Sequence, residues 1–248
     1  MQIMTMQTPS PQIMADIDIR QGIPEGMRAE AARLYAGVFA VKYRTLIGSG
    51  PRAERIIAAS LCLSQSFAAL HQGRLVGLAG YNRHNAHFLT LGVAVLIREF
   101  GLLPGLWRFF LHVCQRKRLP RRELLIDGIV VADDWRGRGL GSLLIERLAH
   151  LAQLRGLAGL RLGVVDTNPR ARQLYERLGF VLLETRYYRL LRGWIPFTSL
   201  LVMRLPLPPL PGIRAARPLR RPVLAIHGLV RRLRPRAQIV VWNPPRSV

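Results

Sequence analysis

The chain has 248 residues, half of them hydrophobic, and a formal net charge of +23 at pH 7. This composition supplies a sizeable apolar core and excludes collagen-like and low-complexity proteins. The positive charge comes almost entirely from arginine, because Lys42 and Lys117 are the only lysines. We therefore expect one domain of ordinary size with extensions.

The first third of the chain predicts a strand, two helices and a hairpin. Residues 1–15 show no hydrophobic period and are expected to be disordered, whereas residues 17–19 alternate as a strand does. Helical patterns follow Pro24 and Pro51. The first pattern places four apolar residues on one face: Ala31, Leu34, Tyr35 and Val38. A β-hairpin is predicted around residues 71–74, where a glycine supplies the positive φ of the turn.

Residues 88–120 form an apolar insert in the predicted domain. Its most hydrophobic part is interrupted by Arg98 and Glu99 and then by glycine and proline in residues 101–105. A bilayer span needs about 20 apolar residues without such charges, so buried or interfacial helices are expected. The insert ends in the basic run 116–118. It could form a wall of a substrate site or the interface of a homodimer.

The cysteines and the N-terminus bear on the compartment. Cys62 and Cys114 are the only cysteines, and their apolar surroundings in sequence predict buried free thiols in a reducing compartment. No basic patch followed by an apolar run marks a signal peptide at the N-terminus. We expect a cytoplasmic protein, with peripheral contact to a membrane as an open alternative.

The central part of the chain alternates strands and helices. Residues 123–132 are rich in β-branched and apolar residues and predict a buried strand, followed by a glycine-rich turn. A helix is predicted from Arg138 to Gly156, with leucine recurring on one side. A strand follows at residues 160–164, then a helix that begins with an Asn-Pro pair and ends near Gly179. Further strands are expected near residues 180–186 and 198–204.

The turn between the strand and the helix, residues 131–142, has the features of a phosphate site. Glycine allows a ligand to approach the backbone, and free amides at a helix start favour negative charge. A P-loop would require a lysine followed by Ser or Thr after its last glycine, but Ser142 and Leu143 stand there. A dinucleotide fold would require a third glycine at position 142, whereas it falls at Gly141.

Two motifs in this region resemble the GCN5-related N-acetyltransferases, the GNAT superfamily. Arg136, Gly139 and Gly141 match the acyl-coenzyme A loop of that family, and residues 168–180 resemble its later helix with the Leu-Tyr-Glu-x-Leu-Gly-Phe ending. The resemblance is strong over residues 123–186, weaker over 17–81, and absent from 88–120 and from the residues beyond 205. Within the family, the local sequence is most similar to ribosomal-protein alanine acetyltransferases.

The resemblance implies the mixed α/β GNAT fold over residues 16–205, with a mostly antiparallel central sheet flanked by helices. It also implies direct transfer of an acetyl group from acetyl-coenzyme A (acetyl-CoA) to an amine of a small molecule, a peptide or a protein N-terminus. Backbone groups of Ile129 and Val131 would pair with the pantetheine arm, and amides from Arg136 to Ser142 would hold the pyrophosphate. The implied cofactor-binding residues are Ile129, Val130, Val131, Arg136, Gly137, Arg138, Gly139, Leu140, Gly141, Ser142 and Asn168.

The implied general acid is Tyr175, which would protonate the leaving thiolate. The general base is less defined, because the positions at which relatives carry a glutamate are occupied by Leu125 and Gly163. Asp127 on the same strand is our candidate, with Glu184 or a chain of water molecules as alternatives. Asp127 could instead serve only to hydrogen-bond a neighbouring element. Asn168, likewise, could act only as a helix N-cap.

The C-terminal part of the chain is strongly basic. Every acidic residue lies at or before Glu184, and residues 206–248 form an extension rich in arginine and proline. Such a segment favours contact with nucleic acid or an anionic membrane. A second hypothesis follows: a non-catalytic coenzyme A-binding module tethered by this extension. Metal catalysis is not expected, because His84 and His87 have no third ligand at suitable spacing.

Overall fold

The computed structural model describes residues 16–84, 86–115, 122–188 and 197–209. The predicted disordered N-terminus and all but the first four residues of the extension 206–248 lie outside these ranges. Their predicted properties stay predictions.

Seven strands and six α-helices form the described part of the chain. The strands are β1 (Asp18–Gln21), β2 (Ser66–His71), β3 (Arg74–Asn82), β4 (Glu123–Val131), β5 (Gly159–Val165), β6 (Val181–Tyr187) and β7 (Ser199–Pro206). The helices are α1 (Arg28–Ile47), α2 (Pro51–Ser60), α3 (Val93–Phe100), α4 (Leu102–Gln115), α5 (Leu140–Leu154) and α6 (Pro169–Arg177).

The strands form one sheet in the order β1-β2-β3-β4-β5-β7-β6. All neighbouring strands are antiparallel except β4 and β5, which run in the same direction. Helix α5 connects these two parallel strands, as a parallel pair requires. This architecture confirms the expected mixed α/β fold with a mostly antiparallel sheet.

Helices cover both faces of the sheet. Helices α1, α2 and α3 bury residues such as Tyr35, Ile56 and Leu96 on one face, together with Val130 of β4. Helix α5 packs its leucine-rich side, which the sequence periodicity predicted, against the other face of the sheet. The fold therefore has three layers, and β4 lies in the middle strand position, with core on both sides.

The sequence predicted most helices and strands correctly, but the solvent exposure of two side chains differs from the prediction. The β2–β3 turn contains Gln72 and Gly73, both with positive φ, as the hairpin pattern required. On α1, Ala31 and Tyr35 are buried as predicted, but Val38 is 42% exposed because it lies past the edge of the core. The prediction of a buried thiol is wrong for Cys62, which is exposed.

The apolar segment 88–120 divides into two parts with different environments. Phe88, Leu91 and Leu96 are fully buried, so the first part belongs to the core of the domain. The Phe88 ring occupies the space beside Gly80, where a Cβ would lie 2.1 Å from it. The second part, α4, has an exposed apolar side. Among the described residues, no helix has both the length and the hydropathy needed to cross a bilayer.

Candidate active site

A gap between β4 and β5 is the main feature of the site. The two parallel strands pair only where residues 123–125 lie beside residues 159–161. Beyond these positions, no backbone pairing joins them in the part of the chain that the structure describes. The opposite edge of β5 is paired with β7 along its whole length, and residues 125–131 of β4, except Asp127, pair with β3. The backbone of residues 126–131 thus has one edge without a strand partner. The Val131 carbonyl accepts a hydrogen bond from the Arg136 Nε atom at 3.4 Å, and the other polar groups of this edge require another partner.

Ion pairs hold the closed end of this gap. Glu123 on β4 lies 2.6 Å from the Nε atom of Arg161 on β5 and 2.7 Å from that of Arg204 on β7. The Glu123 side chain is only 10% exposed, so the pairing is shielded from solvent. One carboxylate therefore ties together three strands at the point from which β4 and β5 diverge.

A β-bulge lies in β4 beside the gap. Gly80 of β3 pairs with Gly128, and the next residue, Tyr81, pairs with Ile126, so Asp127 has no partner on β3. A bulge bends its strand and re-aims side chains, and such irregularities occur often beside active sites. Here Asp127 and Gly128 both face α1, as shown by their contacts with Tyr35. The bulge was not predicted from the sequence.

Aromatic side chains of α1 lie directly on the bulge. A Cβ at Gly128 would be 2.5 Å from the Phe39 ring and 3.1 Å from the Tyr35 ring. The centroids of these two rings are 4.6 Å apart. Only glycine allows this approach, because any larger residue would displace Phe39 from the backbone of β4. The contact holds α1 close to the strand whose other edge is free.

Asp127 accepts hydrogen bonds from two neighbouring elements. The Tyr35 hydroxyl donates to its Oδ2 atom at 2.7 Å, and the Asn82 amide donates to its Oδ1 atom at 3.1 Å. Asn82 in turn accepts a hydrogen bond from the backbone N–H of Phe88 at 2.7 Å. Burial, and then the charge of Asp127, raise the pKa of Tyr35 well above its usual value, so Tyr35 keeps its proton and remains the donor. The structural role considered for Asp127 is therefore present; its role as a base stays a prediction.

The glycine-rich loop follows directly from the free edge of β4. Gly137 and Gly139 have φ values of 76° and 81°, which favour glycine. The first hydrogen bond of α5 runs from the Leu143 N–H to the Gly139 carbonyl, and no side chain caps the helix. The amides of residues 140–142 thus lack an acceptor within the helix. A Cβ at Gly137, Gly139 or Gly141 would meet no atom within 4 Å, so the space above the loop is open to a ligand.

The two arginines predicted to contact phosphate have different partners in the structure. Arg136 pairs with Asp133 at 2.6 Å. The Arg138 guanidinium lies 5.0 Å from the centre of the Trp135 ring, which packs against His71 at a centroid distance of 4.7 Å. Trp135 is buried and anchors the loop. Of the two arginines, only Arg138 has no carboxylate partner among the described residues, and His71 is a support that the sequence did not reveal.

Helix α6 lies beyond the other strand of the gap. Because β4 and β5 are parallel, the loop after Val131 and the residues after Val165 lie at the same edge of the sheet. Asn168 caps α6 by accepting a hydrogen bond from the Ala171 N–H at 3.1 Å. The N-cap role considered for Asn168 is thus present, and a contact with a cofactor stays a prediction.

Tyr175 of α6 has the protonation state that an acid requires. Its partly buried ring packs against Phe180 at a centroid distance of 5.5 Å. Burial raises the pKa of Tyr175 to about 12, so the hydroxyl keeps its proton at neutral pH. Among the described residues, no partner forms a hydrogen bond with this hydroxyl. Glu184, the alternative base, lies on β6, two strands from β5 in the sheet, and pairs with Arg186; its role as a base stays a prediction.

Comparisons with known proteins agree with this arrangement. The model of the acetyltransferase (GNAT) family matches residues 44–180, more than half of the chain, including the glycine-rich loop and α6. Thialysine N-epsilon-acetyltransferase from Bos taurus is 41% identical over 58 residues, which cover 23% of this chain and 34% of that protein. The ribosomal protein bS18-alanine N-acetyltransferase of Salmonella typhimurium is 34% identical over 87 residues, which cover 34% of this chain and 57% of that protein.

These curated relatives are matched over only about a third to just over half of their length. A solved structure, an N-acetyltransferase from Staphylococcus aureus, shares the fold with a TM-score of 0.53 at 16% identity. The alignment covers 76% of this chain and 100% of that structure. Family model, sheet topology and loop together show that the chain belongs to the GNAT family of acetyltransferases.

Proposed function

We propose that this protein transfers the acetyl group of acetyl-CoA to a primary amine by direct attack. The observation that carries the proposal is the free edge of β4, which leads straight into an uncapped helix start with open glycines. A pantetheine arm contains amides that match a free strand edge, and a pyrophosphate suits the amides of a helix start. Both groups occur in one molecule, acetyl-CoA, which the GNAT family uses.

The residues of the gap would have separate tasks in binding the donor. Backbone groups of Ile129 and Val131 would pair with the pantetheine amides. Val130 between them is buried in the core and would hold the strand in place. The amides of residues 136–142 would bind the pyrophosphate, with charge-assisted contacts from Arg136 and Arg138. For Arg136, this contact would compete with its ion pair to Asp133.

The reaction would proceed through one tetrahedral intermediate. The neutral amine attacks the thioester carbonyl, so that a C–N bond forms and the backbone amide near Ile129 stabilises the oxyanion. The C–S bond then breaks, and Tyr175 donates its proton to the thiolate of coenzyme A. The proton lost by the amine would pass to Asp127. Much of the rate gain would come from positioning the two reactants together.

The amine acceptor is proposed from the names of the similar proteins. Their names specify the ε-amine of thialysine and the amine of an alanine in a ribosomal protein, and both are primary amines. Thialysine and a peptide with an N-terminal alanine are therefore the first acceptors to test. The alternative function, a coenzyme A-binding module without turnover, is favoured by the missing carboxylates at Leu125 and Gly163 and by the engagement of both Asp127 oxygens.

Changing Gly139 to Glu should abolish binding of acetyl-CoA. The new carboxylate would lie where the pyrophosphate is expected, and Gly139→Glu also strains a positive φ. Gly73→Glu is the matched control, because Gly73 has a φ of 79° and similarly open surroundings. At 100 times the dissociation constant, acetyl-CoA should stabilise the wild type and Gly73→Glu by about 2.7 kcal/mol in thermal melts. Equal stabilisation of Gly139→Glu would contradict the assignment of the loop.

Removal of the Tyr175 hydroxyl should slow turnover without weakening donor binding. We expect kcat of Tyr175→Phe, measured by release of coenzyme A thiol, to fall about 100-fold. Tyr81→Phe, which loses a buried hydroxyl outside the gap, should keep its rate. Because the pKa of Tyr175 is about 12, the wild-type rate should not fall between about pH 8 and 10 through loss of this proton. An unchanged rate in Tyr175→Phe would exclude it as the acid.

Asp127→Asn tests whether the carboxylate acts as the base. The amide cannot take a proton from the amine, so the rate should fall about 100-fold or more. Tyr35→Phe keeps the carboxylate but removes one of its two hydrogen-bond donors; it should cost about 1–3 kcal/mol of stability and leave the rate within a few-fold. Wild-type rate in Asp127→Asn would make Asp127 a structural residue and leave proton removal to Glu184 or to water. If the wild type binds acetyl-CoA but releases no coenzyme A thiol with any amine tested, the non-catalytic module would be favoured.

A further inference from the structure

Helix α4 presents a continuous apolar face to solvent. The exposed fractions of Leu102, Leu103 and Trp107 are 62%, 78% and 61%. At 100° per residue, six exposed residues fall within an arc of about 140° on one side of the helix. They form what we call the α4 apolar face: Leu102, Leu103, Leu106, Trp107, Phe110 and Val113. Contiguous apolar patches of this kind mark interaction surfaces, unlike single exposed apolar residues.

The opposite side of α4 is fixed to the domain. Gly105 lies so close to α3 that a Cβ would be 2.6 Å from the Cα atom of Ile97. Arg108 donates a hydrogen bond to the Leu46 carbonyl at 3.2 Å, and its guanidinium lies 4.1 Å from the centre of the Phe100 ring. The apolar face therefore belongs to an anchored helix. On it, the Trp107 and Phe110 rings stack with centroids 5.7 Å apart.

The segment of the chain that contains α4 is basic. Between residues 88 and 122 the sequence has seven basic residues and one acidic residue, Glu99, a net charge of +6. Glu99 is only 11% exposed and pairs with two arginines, Arg55 at 3.1 Å and Arg98 at 3.8 Å, whose side chains are 59% and 65% exposed. Two exposed arginines thus share the one carboxylate of the segment, and the charge that remains at this end of α3 is positive.

We propose that α4 lies in the headgroup region of an anionic lipid bilayer, with its apolar face towards the acyl chains. Helices with Trp, Phe and Leu on one side and Arg or Lys around it bind such surfaces, and anionic lipids add attraction for each basic residue. Binding of a second copy through this face would bring two cationic segments together. Nucleic acid would leave the leucines without apolar contact.

Sedimentation with lipid vesicles tests this proposal on the full chain. The wild type should bind vesicles that contain about 30 mol% phosphatidylglycerol, bind pure phosphatidylcholine less, and dissociate as salt screens the charges. The double variant Leu103→Glu/Trp107→Glu should lower the partition coefficient at least about tenfold. Leu154→Glu is the matched control, because Leu154 is 52% exposed on α5 at the opposite face of the sheet, and it should bind like the wild type.

Brominated lipids provide a readout that does not depend on the folding of the double variant. They should quench the part of the tryptophan fluorescence of the bound wild type that comes from Trp107. This quenching should be absent in Trp107→Phe. Several results would overturn the proposal: no vesicle binding by the wild type, undiminished binding by the double variant, or quenching unchanged in Trp107→Phe. A concentration-dependent dimer that the double variant abolishes, without vesicle binding, would identify a second copy as the occupant. None of these outcomes depends on acetyl transfer.

Discussion

The divergence of β4 from β5 is the constraint on which the site depends. Glu123 joins both strands and β7 at the closed end, and the bulge at Asp127 turns β4 away just beyond it. The Phe39 ring packs on Gly128 and holds the bulged segment against α1, and in the described part of the chain β4 does not pair with β5 beyond Leu125. A strand edge left open inside a sheet has unsatisfied backbone groups, and these are what an extended ligand with amides of its own can bind.

The two ends of the gap between β4 and β5 differ in their charged groups. At the carboxyl edge of the sheet, free amides and arginines favour a polyanion, and the nearby acidic residues Asp133 and Asp134 are paired with Arg136 and Arg74. Towards the bulge, the ionisable groups are Asp127 and Tyr35, in a region partly or fully shielded from water. Tyr175 is protonated because burial disfavours its charged form. One end thus has backbone amides and arginines that suit a phosphate, and the other has a carboxylate that is hydrogen-bonded to a protonated tyrosine.

Sequence motifs a few residues long predicted much of the candidate site. The features that were not predicted depend on contacts between residues far apart in the sequence. The loop up to Ser142 and the start of α6 depend on glycines and a cap within a few residues, so sequence spacing predicted both. Tyr35 and Asp127 are 92 positions apart, and no sequence pattern joins them. Beside the bulge, the Phe39 ring fills the place of a side chain at Gly128, and these two residues are likewise far apart in the sequence. Exposure of Val38 likewise depends on where the core ends.

Hydrogen exchange with and without acetyl-CoA, read by mass spectrometry on the full chain, tests the central claim most directly. If the free edge of β4 and the helix start bind the donor, amides in residues 126–132 and 136–143 should exchange more slowly when acetyl-CoA is saturating. The β2–β3 hairpin, whose strands are already paired, should show no such change. Unchanged exchange in both segments, at a ligand concentration that saturates the protein, would contradict the account.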